Sequence, residues 1–257
     1  MKIATFNANS VRVRLPIIIE WLCEHQPDVL ALQETKVEDS KFPVSDFEDI
    51  GYTVAINGQK GTNGVAIATK QPLRNLKAGF GDPFFPEDAR ILVGELDGVA
   101  IVNTYVPNGT AVGTDKFEYK LSWLARFKQM LAERYRPTDP VIWLGDINIA
   151  PTPDDVYNSP RFLGSVGHHP LEFKALDAIK EFGLVDCFRK FTQGPGHYTY
   201  WDFVIITSVA KNFGWRIDHI YATEALAGKC TGCEIDKGPR LMDKPSDHTP
   251  VWAEFQL

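Results

Sequence analysis

Residues 140–151 read PVIWLGDINIAP, a short apolar run followed at once by an acid and an amide. The run at 141–144 is typical of a strand buried on both faces of a sheet. Gly145 allows the backbone a close approach. Because α/β sheets bind ligands at the carboxyl ends of their strands, Asp146 and Asn148 are candidate functional residues. Alone, such a stretch is more often an ordinary turn than a functional site, so its interpretation depends on the rest of the chain.

Length and composition indicate one large globular domain with a substantial core. The chain has 257 residues, of which 44% are hydrophobic, and two-sheet domains reach this size undivided. No linker or low-complexity segment interrupts it. No apolar run approaches the ~18 residues of a membrane span, and the N-terminus lacks the pattern of a signal peptide. We therefore expect residues 1–257 to form a single domain of an intracellular, cytoplasmic protein without a membrane partner.

The net charge of −6 argues against a protein that coats nucleic acids, since such proteins are usually basic. It is compatible with an enzyme that gathers carboxylates around a metal ion and has basic residues only at the rim of its site. Each candidate for that rim could equally be an ordinary solvated lysine. The candidates are Lys36, Lys60, Lys116, Lys120, Lys211 and Lys244.

The four cysteines do not form a zinc motif. Only Cys230 and Cys233 are close in sequence, and no second Cys-x-x-Cys completes a site. Reduced thiols are therefore the preferred interpretation. A redox pair is the alternative, although no thioredoxin-like strand and helix surround the two residues.

Strands and helices alternate along the chain, with hairpins between them, which favours a mixed sheet. Helices are expected at 14–25, 115–135 and 171–182, where apolar residues recur at helical spacing, and Pro16 fits the first turn of the first helix. Strands are expected at 2–6, 29–32, 52–56, 64–69, 91–96, 99–106, 141–144, 198–203, 215–222 and 250–255. Hairpins should join the third strand to the fourth and the fifth to the sixth. Residues 3–9 and 142–148 both end a strand in two polar residues one position apart, which either a pseudo-symmetric pair of sheets or chance would explain.

Polar side chains lie at or near the ends of many of these strands. They are Asn7 and Asn9, Glu34, Tyr105 and Asn108, Asp146 and Asn148, Asp218 and His219, and Asp247 and His248. These residue types suit metal-assisted cleavage of a phosphoester: carboxylates bind Mg²⁺ or Mn²⁺, amides and a phenol hold phosphate oxygens, and an acid takes a proton from water. Zinc is disfavoured because His and Cys do not cluster. Each residue taken singly has a structural explanation, but their shared position favours one site.

Seven motifs, in this order, resemble those of the exonuclease III family of AP endonucleases, within the endonuclease/exonuclease/phosphatase superfamily. They are FNANS (6–10), LQETK (32–36), NGVAI (63–67), YVPNG (105–109), LGDINIAP (144–151), GWRID (214–218) and PSDH (245–248). The resemblance extends over essentially the whole chain. It implies an α/β fold, a four-layered sandwich of two mixed sheets flanked by helices, with the active site at the edge where strand ends converge.

The resemblance also implies roles for the site residues. The metal site would comprise Asn7, Glu34, Asp146, Asn148, Asp247 and His248, with Glu34 as the main ligand of one or two Mg²⁺ ions and Mn²⁺ as a substitute. The catalytic residues would be Tyr105, Asp146, Asn148, Asp218 and His248. Asp146 would orient and deprotonate the attacking water or help to bind a second metal, and His248, fixed by Asp218, would hold a phosphate oxygen. Substrate contacts would come from Asn9, Asn108, Tyr200, Trp215 and Ile217.

The last three of these residues correspond to an apolar pocket for an extrahelical abasic sugar, from which a normal nucleotide is excluded. The alternative is that Tyr200, Trp215 and Ile217 are strand residues packed in the core. The implied activity is Mg²⁺-dependent hydrolysis of the DNA backbone 5′ to abasic sites, with trimming of 3′ ends as a further activity. The implied partner is double-stranded DNA with abasic sites or blocked 3′ ends, bound by a monomer.

Two other functions are open. A superfamily enzyme acting on RNA, a phosphoinositide or another phosphoester would keep the chemistry and change the substrate; the pocket residues and the GWRID motif argue against it. A non-catalytic DNA-binding relic of the fold is the second. The presence of every catalytic residue type, and the acidic net charge, argue against that.

Overall fold

The computed structural model of the protein describes residues 1–82, 85, 88–205 and 207–257. Strands and α-helices alternate along this described part. The strands are β1 (Lys2–Asn7), β2 (Val29–Gln33), β3 (Thr53–Asn57), β4 (Val65–Thr69), β5 (Arg74–Ala78), β6 (Ile91–Leu96), β7 (Val99–Tyr105), β8 (Val141–Asp146), β9 (Leu184–Asp186), β10 (Asp218–Thr223), β11 (Cys230–Ile235) and β12 (Val251–Phe255). The helices are α1 (Val11–His25), α2 (Val44–Glu48), α3 (Asp115–Arg134), α4 (Ser159–Phe162), α5 (Pro170–Lys180), α6 (Cys187–Phe191) and α7 (Glu224–Ala227).

The strands form two six-stranded mixed sheets. The first has the order β11-β12-β1-β2-β4-β3 and the second the order β5-β6-β7-β8-β10-β9. Each contains one parallel pair, β1 with β2 and β7 with β8, bordered by antiparallel neighbours. The series β12-β1-β2-β4-β3 therefore repeats the strand directions of β10-β8-β7-β6-β5, which places Asn7 and Asp146 at equivalent ends of the two sheets. The similarity between residues 3–9 and 142–148 thus has a structural basis.

The two sheets face each other and helices cover their outer faces, giving four layers. Alternate strand residues, such as Ile3 and Ile142, form the apolar core between the sheets. The outer face of the first sheet packs against α1 through a cluster containing Trp21. The outer face of the second packs against α3 and α5 through a cluster containing Trp143. The predicted four-layered sandwich of mixed sheets is confirmed.

Amide side chains connect the two sheets close to the edge where β2 ends. Asn103, on β7, donates from Nδ2 to the carbonyls of Leu32 (3.0 Å) and Ala66 (2.9 Å) in the opposite sheet. Gln33 donates in return from Nε2 to Asn103 Oδ1 at 2.7 Å. Because buried polar groups are costly unless they are hydrogen-bonded, these contacts favour a single relative placement of the sheets. Glu34 follows Gln33 directly and is held at this edge.

β8 is the buried central strand that residues 140–151 predicted, and all six of its residues are buried. Gly145 lies within the strand rather than in a turn. Its φ is +138°, and a Cβ there would lie 2.0 Å from the carbonyl oxygen of Thr104 on the parallel neighbour β7. Only glycine permits this approach, so Gly145 delivers Asp146 to the sheet edge without a distortion of β7.

The predicted start of the first helix, at residue 14, was wrong. α1 begins at Val11, so Pro16 lies inside the helix and not in its first turn. The helix starts early because the N–H groups of Ser10 and Val11 donate to the carbonyls of Glu34 and Thr35, at 2.8 and 3.2 Å, a tertiary arrangement with no local sequence signal.

Residues 198–203 do not form a strand, and β10 starts at Asp218 instead of at 215. The successive N–H groups of Thr199 and Tyr200 both donate to the carbonyl of Trp215, which interrupts a regular ladder and leaves isolated bridges. The exposed strand β5 and the strands β9 and β11 were not predicted. All four cysteines are free thiols. Among the described residues, no helix combines the length and apolar character that crossing a bilayer requires.

Candidate active site

Two carboxylates from opposite sheets meet at one edge of the sandwich. Asn7, the last residue of β1, donates from Nδ2 both to Glu34 Oε1 and to Asp146 Oδ2, at 2.9 Å each. Its Oδ1 accepts from the N–H of Asn9 at 2.9 Å. Asn7 is fully buried and Asp146 is 1% exposed. A single amide thus fixes the spacing of the two acids.

The backbone at this edge is left-handed at several non-glycine positions. Asn9, Glu34, Lys36 and Asn148 have φ values of +43°, +48°, +55° and +53°. Such conformations cost roughly 1–3 kcal/mol each and persist where the surroundings hold them. At Asn148 the holding contact is direct, since its N–H donates to Asp146 Oδ1 at 2.9 Å. The side chains therefore project from sharp turns at the strand ends.

A buried histidine–aspartate pair lies beside the two acids. His248 Nδ1 donates to Asp218 Oδ2 at 2.8 Å, and His248 Nε2 lies 3.9 Å from Asp146 Oδ2. Asp218 is the first residue of β10 and pairs across the ladder with Asp146, the last residue of β8. Asp218 Oδ1 is buried with no hydrogen-bond partner in the described part of the protein.

The pKa values of His248 and Asp146 are both raised, but for different reasons. Burial lowers the pKa of His248, but Asp218 and the neighbouring acids outweigh it and raise that pKa to about 10. Burial raises the pKa of Asp146 to about 7, with repulsion from Asp218 and Glu34 adding to the effect and His248 opposing it. At neutral pH the histidine is a cation, and Asp146 is poised to exchange a proton.

Lys36 and Asp247 complete the polar ring around Glu34. Lys36 Nζ lies 2.9 Å from Glu34 Oε2 and donates to Asn9 Oδ1 at 2.5 Å. Asn9 Nδ2 donates to Asp247 Oδ1 at 2.9 Å. Arg14 holds the two loops together, since its guanidinium donates to the carbonyls of Asn9 and Pro245. Its role was not predicted, because a helical arginine gives no sequence signal of what it contacts.

A phenol and two amides line the opposite wall. Asn108 Nδ2 donates to Asn148 Oδ1 at 3.1 Å, and Asn148 Nδ2 donates to the carbonyl of Val106 at 2.9 Å. The guanidinium carbon of Arg90 lies over the ring of Tyr105, 4.9 Å from the ring centroid. Burial raises the pKa of Tyr105, and the charges of nearby acids add to the effect, so the phenol keeps its proton.

A cavity of about 410 Å³ opens beside these groups. Glu34, Tyr105, Asn108, Asp146, Asn148, Asp247 and His248 line one part of it. Tyr200, Trp215 and Ile217 line the other, together with Tyr157, Phe162, Val166, Gly167, Asp202, Ile205 and Phe213. The three residues expected to form an apolar pocket therefore border the same cavity as the acids. Asn9 and Asp218 lie behind its wall, in contact with Asp247 and His248.

The aromatic wall is a connected cluster. Phe162 meets the ring of Trp215 edge-on at 5.2 Å, and Tyr157 stacks on Phe213 at 4.7 Å. Tyr200 packs on the ring of His248 at 5.0 Å, which joins the apolar part of the cavity to the polar part. Tyr157 and Phe162 were not predicted, since they lie in the irregular segment 151–170, where no periodicity marks an inward side chain.

The donor set fits a divalent metal ion. Ligand atoms of Glu34, Asp146 and His248 lie within 4.8 Å of one another and could hold a metal. The two carboxylates offer hard oxygen ligands of the kind that Mg²⁺ and Mn²⁺ prefer. The ring of His248 is oriented by Asp218 through Nδ1, and the acids around it raise its pKa to about 10, which favours the cationic form that would contact an anion.

The candidate rim lysines lie in three different environments. Lys36 lies at the cavity edge, while Lys60, Lys116, Lys211 and Lys244 are exposed. Lys120 was assigned wrongly. It is fully buried and forms an ion pair with Glu172 at 2.5 Å, because α3 turns this position towards α5 and the site loops instead of towards solvent.

Comparisons with known proteins agree with this geometry. Residues 4–248 match the model of the endonuclease/exonuclease/phosphatase family. The chain is 36% identical to exodeoxyribonuclease III of Haemophilus influenzae, with all of both chains aligned. An AP endonuclease from Archaeoglobus fulgidus superposes with a TM-score of 0.95 at 39% identity, and a 3′ phosphatase from Neisseria bound to a product DNA hairpin superposes with a TM-score of 0.93 at 32% identity. Both structures cover all of this chain and are themselves fully covered.

The family match spans nearly the whole chain, and the identity exceeds 30% over complete relatives. The resemblance inferred from the seven motifs is therefore confirmed. The chain belongs to the endonuclease/exonuclease/phosphatase family and, within it, to the group that contains exodeoxyribonuclease III and the AP endonucleases.

Proposed function

We propose that the protein is a Mg²⁺-dependent DNA-repair phosphodiesterase that cuts the backbone 5′ to abasic sites. One observation carries the proposal. Two carboxylates and a cationic histidine converge on a cavity whose adjoining wall is apolar and aromatic. The polar part suits a phosphodiester, and the apolar part suits a sugar that has lost its base.

Glu34 would be the main ligand of the metal ion, with Asp146 and Asp247 beside it. Mg²⁺ bound there would neutralise charge on the phosphate and favour the ionised form of Asp146. Asn7 supports this arrangement as the donor that spaces the acids, since its oxygen is already engaged by Asn9. Mn²⁺ would substitute because it shares the preference for oxygen ligands.

Asp146 would accept a proton from the attacking water. The water oxygen then bonds to phosphorus, and the bond from phosphorus to the 3′-oxygen breaks. That oxygen takes a proton from solvent and becomes the 3′-hydroxyl, Asp146 releases its proton to solvent, and the phosphate stays on the 5′ side of the abasic sugar. Tyr105, kept protonated by its raised pKa, is suited to donate to the phosphate or to the leaving oxygen.

His248 and the two amides would stabilise the phosphate as its charge increases. His248 is a cation held in orientation by Asp218, and preorganised donors of this kind stabilise a transition state without reorganising. Asn108 and Asn148 present their amides on the opposite wall. A single chain supplies every group named, which supports action as a monomer.

Trp215, Tyr200 and Ile217 would receive the abasic sugar. Phe162 packs edge-on against Trp215 in this wall, and we expect the wall to accept a sugar without a base in preference to a normal nucleotide. Hydrolysis at 3′ ends is a second candidate activity, supported by the similarity to a 3′ phosphatase and to exodeoxyribonuclease III. This second activity would use the same active site. Because the substrate of both activities is DNA, we expect the protein to act inside the cell.

The test is a comparison of substrates with purified protein and Mg²⁺. The panel comprises a duplex with one abasic site, the intact duplex, a duplex with a recessed 3′ end, one with a 3′-phosphate, and an RNA strand. Incision should occur 5′ to the abasic site and leave a 3′-hydroxyl that a polymerase extends directly, and EDTA should abolish it. Preference for RNA, or an uncut abasic duplex, would contradict the proposal.

A further inference from the structure

A buried lysine contacts the backbone of two site loops from below. Lys120, on α3, has no exposed surface. Its Nζ donates to the carbonyl of Asn148 at 2.7 Å and to that of Asn108 at 3.2 Å. Both asparagines line the cavity. Of these two asparagines, the ammonium contacts only the backbone, and Lys120 does not line the cavity. The lysine can therefore affect the position of the two residues, but it does not contact their side chains.

The counter-ion of Lys120 reaches a third loop. Glu172, on α5, is also fully buried, and its Oε1 lies 2.5 Å from Lys120 Nζ. The same carboxylate accepts from the N–H of Gly167 and from the N–H of His169, at 3.1 Å each. Gly167 lines the cavity beside Trp215. One ion pair thus contacts the backbone of all three loops that form this side of the site.

Packing around the pair leaves little freedom. Gly109 has φ +91°, and a Cβ on it would lie 3.1 Å from Cδ of Lys120, so the lysine stem fills the space under the turn. A buried ion pair is a weak source of stability, and apolar residues of similar volume often replace one without loss. Stability alone therefore does not account for a charged pair here, whereas fixing three loops in one register does.

We propose that Lys120 and Glu172 are positioning residues, which hold Asn108 and Asn148 where they meet the phosphate. This inference rests on the proposed function for its catalytic consequence. Neither residue contacts substrate. Removal of the pair should loosen the loops and misplace both amides, and a displacement of about 1 Å can lower a rate by ~10²-fold.

The chain contains a matched control. Lys128 and Glu181 form a second ion pair between α3 and the end of α5, at 3.2 Å, but both side chains are exposed. The test variant is Lys120→Met/Glu172→Gln and the control is Lys128→Met/Glu181→Gln. Both charges are removed together because a single change at the buried pair would leave an unpaired buried charge, which is strongly destabilising.

The first readout is backbone amide exchange, which needs no activity. In the test variant, amides at residues 106, 108–110 and 146–150 should exchange faster than in the wild type. The core strands, such as β1, should keep their protection. The control variant should match the wild type throughout. Unchanged exchange at both loops in a folded test variant would overturn the inference.

The second readout separates positioning from general destabilisation. The kcat for the abasic duplex should fall by up to ~10²-fold, while the affinity for that duplex in EDTA should change less than kcat does. Adding Asn108→Ala to the test variant should cost no further activity, because both changes remove the same placed amide. Losses that multiply would overturn the inference, as would a fall in affinity that accounts for the whole effect.

The two readouts distinguish this inference from the proposed function. Wild-type protein that cuts none of the DNA substrates contradicts the proposed function, and the exchange measurement still decides whether the pair holds the loops. Active wild-type protein with unaffected loops contradicts the inference alone.

Discussion

The carboxylate of Asp146 is buried beside the carboxylate of Glu34 and lies 3.9 Å from the imidazole of His248. Burial raises its pKa to about 7, the range in which a carboxylate accepts protons effectively at neutral pH. The replacement Asp146→Asn keeps the shape of the side chain and removes that basicity.

We therefore expect Asp146→Asn to lower kcat by the general-base factor of ~10²–10⁴ or more. Affinity for abasic DNA should persist or rise, since a negative charge near the phosphate is gone. Single-turnover kinetics and a binding titration in EDTA measure the two quantities separately. Lost binding with retained turnover would show that Asp146 has a different role.

The position of Lys36 leads to a second prediction about a single residue. Its ammonium lies 2.9 Å from Glu34 Oε2, an oxygen that a metal ion would also use. Two cations repel each other at one carboxylate, so Lys36→Met should bind Mn²⁺ more tightly and DNA more weakly. Calorimetry with Mn²⁺ alone tests this, with the exposed Lys60→Met as control. Equal Mn²⁺ affinity in both variants would contradict it.

The sequence identified residue types at the site better than it identified their contacts. Strand-end acids and amides stand out in the chain, which is why Glu34, Asp146 and His248 could be predicted as neighbours. The contacts of Lys120 could not, because an isolated lysine on a helix has the same local signal whether it faces solvent or, as here, the inside. Burial depends on how α3 and α5 pack, which no single segment records.

At the scale of elements, the pocket wall is built on irregular backbone. Tyr200 and Trp215 donate to each other's carbonyls at 2.9 Å, and Thr199 Oγ1 accepts from the N–H groups of Ile217 and Asp218. These contacts replace a regular strand ladder, so the strand expected at 198–203 does not form. The hairpins and α3, whose signals are local, were predicted closely.

Trp215→Ala tests the function of this wall. The side chain is only partly buried and faces the cavity, so its removal should leave the fold intact and abolish the preference for abasic over intact duplex. Because the proposed phosphate contacts lie elsewhere, the slope of log affinity against log salt should stay the same. Salt titrations of both duplexes measure preference and slope together. An unchanged preference would mean that Trp215 only packs.

At the scale of the molecule, a buried ionic cluster ties the loop after β8 to the second sheet. Arg216, 1% exposed, donates from Nε to Asp155 Oδ1 at 2.7 Å and from Nη2 to Asp186 Oδ2 at 2.8 Å. Arg216 alternates with Trp215 and Ile217, so it faces away from the cavity that they line. The four-layered architecture was predictable from the family resemblance, but this cluster was not, since its members lie 30 to 61 positions apart.

Because of this cluster, we expect the free energy of unfolding to depend on pH in the acidic range. Burial alone would raise the pKa of Asp155, but Arg216 outweighs it and lowers that pKa from 3.8 to about 2. A carboxyl with a depressed folded-state pKa stabilises the protein above its unfolded value, and the contribution is lost as the pH falls through the folded value. The shift corresponds to about 2 kcal/mol.

We therefore expect the stability difference between wild type and Asp155→Asn to shrink by about that amount as the pH falls from about 5 to 2. Denaturant unfolding at several pH values measures it, and other titrating groups cancel because they are common to both proteins. A difference that does not vary with pH would contradict the role of the ion pair.

The measurement closest to the central claim is the rate of abasic-duplex cleavage as a function of Mg²⁺ concentration for three proteins: wild type, Glu34→Gln and Glu38→Gln. Glu38 pairs with Lys41 on the neighbouring turn, so the same change there is a matched control. Wild type and Glu38→Gln should saturate at the same Mg²⁺ concentration and rate. Glu34→Gln should remain folded and lose the rate by orders of magnitude at every concentration. Wild-type turnover by Glu34→Gln at saturating Mg²⁺ would contradict the assignment of this edge of the sandwich as a metal-dependent active site.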